Sequence, residues 1–490
     1  MKKFSKVLSI LLSVVLVISS FYLLYQVIRL NVLPSKFLFP LTIGVVVLDA
    51  IFILLLIYFS KNVVSKIVCI VLTLFICIAS CMGGYYISKT QNVLSSITNV
   101  AKHAKNTVSV IVKESSSIKN KSQLNGVSVG SLRLNEQGSK KVLKELSGEG
   151  IVLNQTEYDS MTALLEAFYN GEVDSIIINE SSRSQILDME TYSNFDSNTR
   201  VVYQTSYKVK NNDSATSVSD ITSKPFNVLI SGSDTRGGFD ENGRSDVIMI
   251  ATVNPKTHTI LLTSVPRDFY VTTACDAGDG CMQGALDKIT HTGIHGTNTT
   301  KRTVEQLLGI EINYTFKVGF DTVTELVDVL GGVDVYVEPG YATTTSEFSV
   351  HEGVNHLNAQ QALAFARERY SYTEGDRQRT KNQQQVLMGI VKEATKPSVI
   401  TNYAAIMDTI ANTFSTTMSN EEITDLIKYQ LNNNPTWKME QYMVDGTGDT
   451  LMCAELGDAA SVMVPDQSTV KMAKDKINAV LAGKSSEDVK

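Results

Sequence analysis

Apolar and polar positions along the chain fall into three regimes. In the first, Val7–Leu30, Phe37–Ser60 and Ile67–Ile87 are nearly uninterrupted apolar runs with almost no charge. Each is long enough to cross a hydrocarbon core of about 30 Å, which takes about 20 helical residues. A cleaved signal peptide would account for the first run only, and that run is too long for one. In the second regime, roughly 88–222, short apolar runs alternate with amphipathic ones. Asn92–Asn106 is polar and predicts a helical stalk; Val108–Val112 and Gly126–Val129 predict strands, and Ser139–Leu146 a helix. In Tyr158–Tyr169, Met161, Leu164, Leu165 and Phe168 recur at helical spacing, and Ser175–Ile178 reads as a buried strand. The alternation implies a small α/β unit. Asn211–Lys224, rich in Ser, Asp, Thr and Asn, predicts a linker.

The third regime opens with Phe226–Ser231, Val247–Val253 and Ile260–Val265, three runs rich in β-branched residues. Asn254–His258 has turn chemistry, so the second and third runs predict a hairpin and all three an antiparallel meander. One edge of that meander would gather Asp234, Arg236, Arg244, Asp246, Arg267 and Asp268. Such a set is either a row of solvated ion pairs or a metal-assisted phosphate site. Downstream, Thr300–Leu308 predicts a helix ended by Gly309, and Phe320–Leu330 one ended by Gly331 and Gly332. Val333–Val337 predicts a strand and Asn358–Leu363 a short helix. The next stretch, Ala364–Arg369, reads as extended, which would put Arg367 and Arg369 on one face. Asp376 opens a long helix through about Lys392, whose N-terminus favours anions. Helices near Tyr403–Phe414, Glu421–Asn432 and Val470–Leu481, and a strand around Met439–Val444, complete the pattern.

Composition changes this picture in few places. The 490 residues carry a formal net charge of −6, which gives no general case for nucleic-acid binding. Against that acidic background, Arg367–Lys381 holds five basic and three acidic side chains. Paired guanidiniums beside a helix N-terminus suit a pyrophosphate, because arginine stays charged and binds phosphate oxygens bidentately. Lys2, Lys3, Lys6, Lys61 and Lys66 against Arg29 and Lys36 favour a cytoplasmic N-terminus, leaving everything after residue 88 outside. Outside, Cys275 and Cys281 could close a small disulfide loop, free thiols being the alternative; Cys453 has no obvious partner. His291 and His295 flank Gly293 without zinc spacing, and read as polar loop residues.

The motifs SGSDTR, RSDVIMI, TSVPRDFYV, LDKITH, LVDVLGGVDVYV, HLNAQQALAFARERY and EGDRQRTKNQQQVL, in that order over about residues 225–395, resemble the LytR–CpsA–Psr family. The three apolar runs and the extra α/β unit resemble its streptococcal capsule-type members, which carry an accessory domain. The segment YDSMTALLEAFYNGEVDSIIIN also resembles part of periplasmic solute-binding domains, and suits a structural or ligand-sensing role. The family resemblance implies an α/β (α+β) protein. Its parts would be a three-helix membrane anchor over 1–88, an accessory α/β domain and linker over 89–222, an α-β-α core with a central mixed sheet over 225–400, and a C-terminal extension over 401–490.

It further implies a magnesium-dependent phosphotransferase, with manganese as the substitute ion. Such an enzyme moves a glycopolymer from undecaprenyl pyrophosphate to peptidoglycan at the outer face of a Gram-positive-type membrane, with other capsule-assembly proteins as partners. By motif, Asp234 and Asp246 would hold the metal, and Asp246, Arg267, Arg367 and Arg369 would be catalytic. Arg244, Arg267, Arg367, Arg369, Arg379, Gln383 and Lys288 would bind pyrophosphate, and an apolar tunnel the lipid. Asn382 stands where many members have arginine; capsule-type members share it, which favours capsular polysaccharide over wall teichoic acid. The base is either Asp246 or Asp268. No serine, cysteine or histidine nucleophile with a partner is evident, which argues for direct transfer. Two alternatives share the same residues: a polyprenyl-pyrophosphate pyrophosphatase, and a non-catalytic sensor of envelope precursors.

Overall fold

The computed structural model describes every residue except 1, 60–61, 101–102, 211–212, 234–240, 277–279, 397–404, 407, 410, 412–413 and 490. Two compact units are distinguished. One comprises Met1–Ser96, Glu393–Ala411 and Ser419–Thr436; the other comprises Ile97–Lys392, Asn412–Met418 and Trp437–Lys490. The first unit is built on α1 (Lys2–Leu30), α2 (Ser35–Leu54) and α3 (Val63–Val100). Lys6–Leu30, Ser35–Tyr58 and Val63–Thr98 are long and apolar enough to cross a membrane. The acid inside the second run, Asp49, accepts a hydrogen bond from Ser20 of α1 at 2.9 Å, as an intramembrane carboxyl requires. The expected stalk is largely the end of α3, which continues to Val100. Within the same unit, a capping box of Ser419 and Glu422 starts the helix Asn420–Asn433. The helix expected over Tyr403–Phe414 falls largely outside the described residues.

The second unit holds two sheets. The first comprises β1 (His103–Lys113), β2 (Ser128–Leu132), β3 (Asn154–Tyr158), β4 (Ser175–Asn179) and β5 (Thr199–Lys210), in the order β3-β2-β4-β1-β5. Helices α4 (Glu136–Gly148), α5 (Met161–Asn170), α6 (Arg183–Asp188) and α7 (Phe195–Asn198) connect them. The apolar stripe of α5 is buried against Ile176 and Ile178 of β4, as its spacing requires. β3 and β5 are edge strands that the apolar pattern did not announce; β3 is exposed along nearly its whole length. The segment read as a linker is tied down. Thr216 exchanges hydrogen bonds with Asn313, and Val218 N–H donates to the Tyr314 hydroxyl.

The second sheet begins with β6 (Phe226–Ser233), β7 (Val247–Asn254) and β8 (Thr259–Val265), antiparallel neighbours as expected. A short pair, β9 (Tyr270–Thr272) and β10 (Leu286–Lys288), leads into α8 (Thr297–Leu308). β11 (Tyr314–Gly319) then joins β6 in parallel, followed by α9 (Phe320–Leu330). β12 (Val333–Val337) pairs with β15 (Gly353–Leu357) across a hairpin of β13 (Thr343–Thr344) and β14 (Ser349–Val350). Helices α10 (Ala359–Arg367) and α11 (Asp376–Ala394) follow. β16 (Phe414–Thr416) and β17 (Lys438–Met443) close the mixed six-stranded sheet, β16-β11-β6-β7-β8-β17. The hairpin β18 (Gly446–Cys453) and β19 (Asp458–Pro465) and the helix Gln467–Leu481 end the fold. Every residue of β8 is buried, so both faces of the sheet are covered. Leu261 and Val265 share one core with Val304 of α8 and Ile477 of the last helix.

One expectation fails here. Residues 364–367 are helical, not extended. A capping box of Asn358 and Gln361 starts α10, and Ala362, Phe365 and Ala366 form a helical stripe in the core. Arg367 is therefore the last helical residue, and Arg369 lies two residues beyond it.

The edge strand β17 carries a buried acid, Glu440. It accepts bonds from Lys438, the Ser485 hydroxyl and the Ser486 N–H, each at 2.8 Å. Burial would raise its carboxyl, but the bonds from Lys438, Ser486 and Ser485 outweigh that and hold it at about 2. The folded value lies below the ordinary 4.5. Its contribution is thus fully present above that value and is lost as pH falls from there towards 2. Glu440→Gln is expected to destabilise the fold at neutral pH by about 1–3 kcal/mol. The gap between thermal melts of the two proteins should begin to narrow below about pH 4.5 and close only near pH 2; a gap independent of pH would contradict the ionic origin.

Candidate active site

The antiparallel register places the end of β6, the start of β7 and the end of β8 at one edge. Gly232 lies opposite Val247, and Ile248 opposite Val265. Asp246 and Arg267 therefore flank the same edge, and Arg267 donates to Asp246 Oδ1 at 2.8 Å. Arg267 Nε lies 3.8 Å from Asp268, and Lys288 Nζ 3.4 Å from the same carboxylate. Arg244 Nε lies 3.9 Å from Asp246 Oδ1, while its terminal nitrogen pairs with Asp188. Of the edge set read from the sequence, Asp234 and Arg236 lie outside the described residues.

The turn Ile289–His295 fastens this edge from behind. Thr290 N–H donates to Arg267 O, Thr290 O accepts from Ser245 N–H, and the Thr290 hydroxyl lies 3.4 Å from Asp246 Oδ1. Gly293 makes the approach possible. A Cβ there would come within 2.5 Å of Gly243 O and the Ser245 hydroxyl. His291 and His295 are not surface loop residues. His291 Nδ1 sits 2.7 Å from buried Asp287, and His295 Nε2 3.0 Å from Glu455. Cys275 and Cys281 form a disulfide. Cys453 is free and buried, and burial pushes its thiol up to about 12.

In front of the edge lies a cavity of about 440 Å³. Arg244, Asp246, Arg267, Glu347, Ala364, Arg367, Glu368, Arg369, Tyr370, Arg379 and Gln383 line it. Five guanidiniums thus meet three carboxylates, an excess of two positive charges in a chain of net charge −6. Lys288 is not in the lining; it stands behind, on Asp268. Arg379, in the first turn of α11, pairs with Asp376. The helix seat is set by side chains of its buried face. Gln384 donates to Leu262 O and Tyr442 O, and Asn382 donates to Phe365 O at 3.1 Å. Asn382 thus sits behind the lining and fixes α11 to the end of α10.

The electrostatics mark a site built for an anion. Burial depresses Arg379, and the neighbouring Arg267 and Arg369 charges add to that, outweighing Asp376 and Asp246. Burial also disfavours the charge on Arg267, but Asp246 and Asp268 overcome it and leave its pKa raised. The Nε atoms of Arg244, Arg267 and Arg379 are buried without a hydrogen-bond acceptor. Three unsatisfied cationic donors around one cavity are costly unless a ligand accepts from them. Among the described residues, no group of three or more His, Cys, Asp or Glu is placed to hold a metal ion. Asp246 fits the magnesium pattern, in which one or two carboxylates bind and water and substrate phosphate complete the shell.

The LytR_cpsA_psr family model matches residues 191–479. The chain belongs to this family. The match extends past the motif-bearing 225–395 to include the last strands and helix. Among relatives of this LytR_cpsA_psr chain is a polyisoprenyl-teichoic acid–peptidoglycan teichoic acid transferase TagU of Bacillus cereus (strain AH820). It is 33% identical over 207 residues, 42% of this chain and 65% of that protein. The chain thus spans just under two thirds of the length of that relative. Two solved structures are also similar. Protein gbs0355 from Streptococcus agalactiae is 25% identical at a TM-score of 0.45, covering 54% of this chain and 89% of that one. TagU of B. subtilis is 28% identical at a TM-score of 0.40, covering 53% and 97%. Membership in the LytR_cpsA_psr family rests on the sequence match.

Sequence reasoning did not assign Thr290, Glu347, Glu368, Tyr370 or Asp188 a place at this site. Thr290 stood inside the motif LDKITH, a signal that could have found it. Glu347 arrives by a hairpin with no motif. The cost of crowded arginines gives a test. Arg379→Met removes a charge that burial disfavours but leaves Asp376 without its partner, so a loss of stability of about 1–3 kcal/mol is expected in its thermal melt. Its affinity for inorganic pyrophosphate, read by calorimetry, should fall about tenfold or more, as expected for a lost charged hydrogen bond. Unchanged affinity would show that Arg379 does not face the anion.

Proposed function

We propose that this chain is a membrane-anchored phosphotransferase that moves a glycopolymer from undecaprenyl pyrophosphate to peptidoglycan. The observation that carries the reading is the convergence of five arginines on one cavity beside Asp246. In phosphoryl transfer the protein mainly positions groups and neutralises charge, so arginines for the oxygens and a carboxylate for a cation are the parts required. Arg244, Arg267, Arg367, Arg369 and Arg379 would hold the pyrophosphate, with Gln383 as a polar contact. Asp246, together with Asp234, would hold magnesium or manganese. When bound, that ion supplies Lewis-acid charge neutralisation at the phosphate oxygens.

A sugar hydroxyl of peptidoglycan attacks the phosphorus that carries the glycopolymer. The new P–O bond forms as the bond to the bridging oxygen breaks, and undecaprenyl phosphate departs. The hydroxyl proton passes to one of the two carboxylates at this edge, Asp246 or Asp268. Arg267 and Arg379 meet charge that grows on the departing oxygen, which makes them worth more in the transition state than in the ground state. Lys288 acts indirectly, by neutralising Asp268. The positive-inside balance supports an inward N-terminus and an outward catalytic unit. Capsular polysaccharide is the polymer that the Asn382-bearing motif favours; teichoic acid is the one that the relative's name carries.

The test incubates the full chain in detergent with a lipid-pyrophosphate glycan and peptidoglycan oligomers. Transfer to sugar is expected, with Arg267→Ala and Asp246→Ala each lowering the rate by about 10²–10³. Release of polymer phosphate to water at equal rates with and without oligomers would identify a pyrophosphatase instead. Binding without turnover would identify a sensor. Parallel capsular and teichoic donors would identify the polymer.

A further inference from the structure

The sheet of β1–β5 is not part of the cavity, yet it grips the loop that delivers two cavity residues. Residues 241–246 run from the end of the undescribed segment to the start of β7, and carry Arg244 and Asp246. At the head of the loop, Glu241 bridges to Lys105 of β1 in parallel fashion. Its carboxylate, only 10% exposed, accepts from the Thr107 hydroxyl at 2.5 Å and pairs with Lys105 at 3.2 Å. Three residues on, Arg244 pairs with Asp188, the last residue of α6. The loop is thus fastened to this sheet and its helices at two separate points.

These grips have different consequences. An arginine free to sample its rotamers gives up about 2 kcal/mol of side-chain entropy when a ligand orders it. With Asp188 on a terminal nitrogen, the Arg244 chain is already ordered, its side chain 15% exposed and its Nε within 3.9 Å of Asp246. That Nε is among the buried donors without an acceptor. The carboxylate thereby orders the guanidinium through a terminal nitrogen and leaves its Nε without an acceptor. Asp188 is itself 59% exposed, so its ion pair adds little to the stability of the fold. An acid at a helix C-terminus also opposes the helix dipole, so α6 gains nothing from having it there.

We propose that Asp188 is a positioning residue for the pyrophosphate site, acting through Arg244, and that the α/β unit of residues 103–210 thereby completes that site. The inference rests on the pyrophosphate reading above and adds to it a role for the accessory unit. Orientation of this kind strengthens ligand binding by meeting its ordering cost in advance.

Calorimetry of the full chain in detergent with inorganic pyrophosphate tests it, for the wild type, Asp188→Asn, Asp188→Glu, Arg244→Ala and the double variant Asp188→Asn with Arg244→Ala. Asp188→Asn should bind about fivefold more weakly, a coupling of ordinary size for contacting charges. Asp188→Glu should recover most of that loss, and thermal midpoints should not change. In the Arg244→Ala background the second substitution should have no further effect. Equal or tighter binding by Asp188→Asn would overturn the proposal, since the pair would then be neutral or a competitor of the ligand. So would a loss of equal size in the Arg244→Ala background, because the effect would then bypass Arg244. A wild type that does not bind pyrophosphate at all would overturn the site reading and the positioning role together.

Discussion

Like-charge crowding governs this molecule. Arg244, Arg267, Arg367, Arg369 and Arg379 are brought to one cavity, and mutual repulsion would scatter them if nothing held them. Carboxylates placed behind and beside them supply the restraint. Asp246 holds Arg267, Asp376 holds Arg379, and Asp188 holds Arg244. Each pair consumes part of a guanidinium and leaves an Nε–H without an acceptor. The arrangement keeps the cations in place while leaving their demand for an anion unmet. That compromise explains why the six-stranded sheet, the turn at Thr290 and the first turn of α11 must all meet at one edge.

Much of this was legible in the chain, because the meander announces itself. Its strands are apolar runs rich in β-branched residues, its turn is marked by Asn254 and Pro255, and antiparallel pairing then forces Asp246 and Arg267 to the same end. The arginines of 367–379 were legible as charge, but their backbone was not. Arg367 and Arg369 at a spacing of two suggested a strand, while Ala362, Phe365 and Ala366 at helical spacing decided the fold. Burial outweighed a polar pattern, as tertiary packing commonly does. The edge strands β3 and β5 were missed because one is mostly exposed and the other alternates with long polar residues. Contacts such as Arg244 with Asp188, 56 residues apart, leave no local trace at all.

The region behind the site has its own logic. His291 on Asp287 and His295 on Glu455 sit where the hairpin β18–β19 meets the turn of Ile289–His295. Glu455 N–H also donates to Asp287 at 2.7 Å, and Ala454 N–H to Leu286 O. A hairpin nearly 170 residues downstream thus buttresses the same turn whose Thr290 holds Arg267. That hairpin lies within the family match, which runs on to residue 479 although the motifs that carry the charges end near 395.

The double grip on residues 241–246 ties the loop to a part of the chain that shares none of its strands. One half of each fastening lies in the unit of residues 103–210, in β1 and at the end of α6, and the other half in the loop, so losing either side leaves a charged group without its partner. Replacing the unit of residues 103–210 by an unrelated one would separate Lys105 and Thr107 from Glu241, and Asp188 from Arg244. The unit is a separate sheet by topology, yet by its contacts it belongs with the loop it holds.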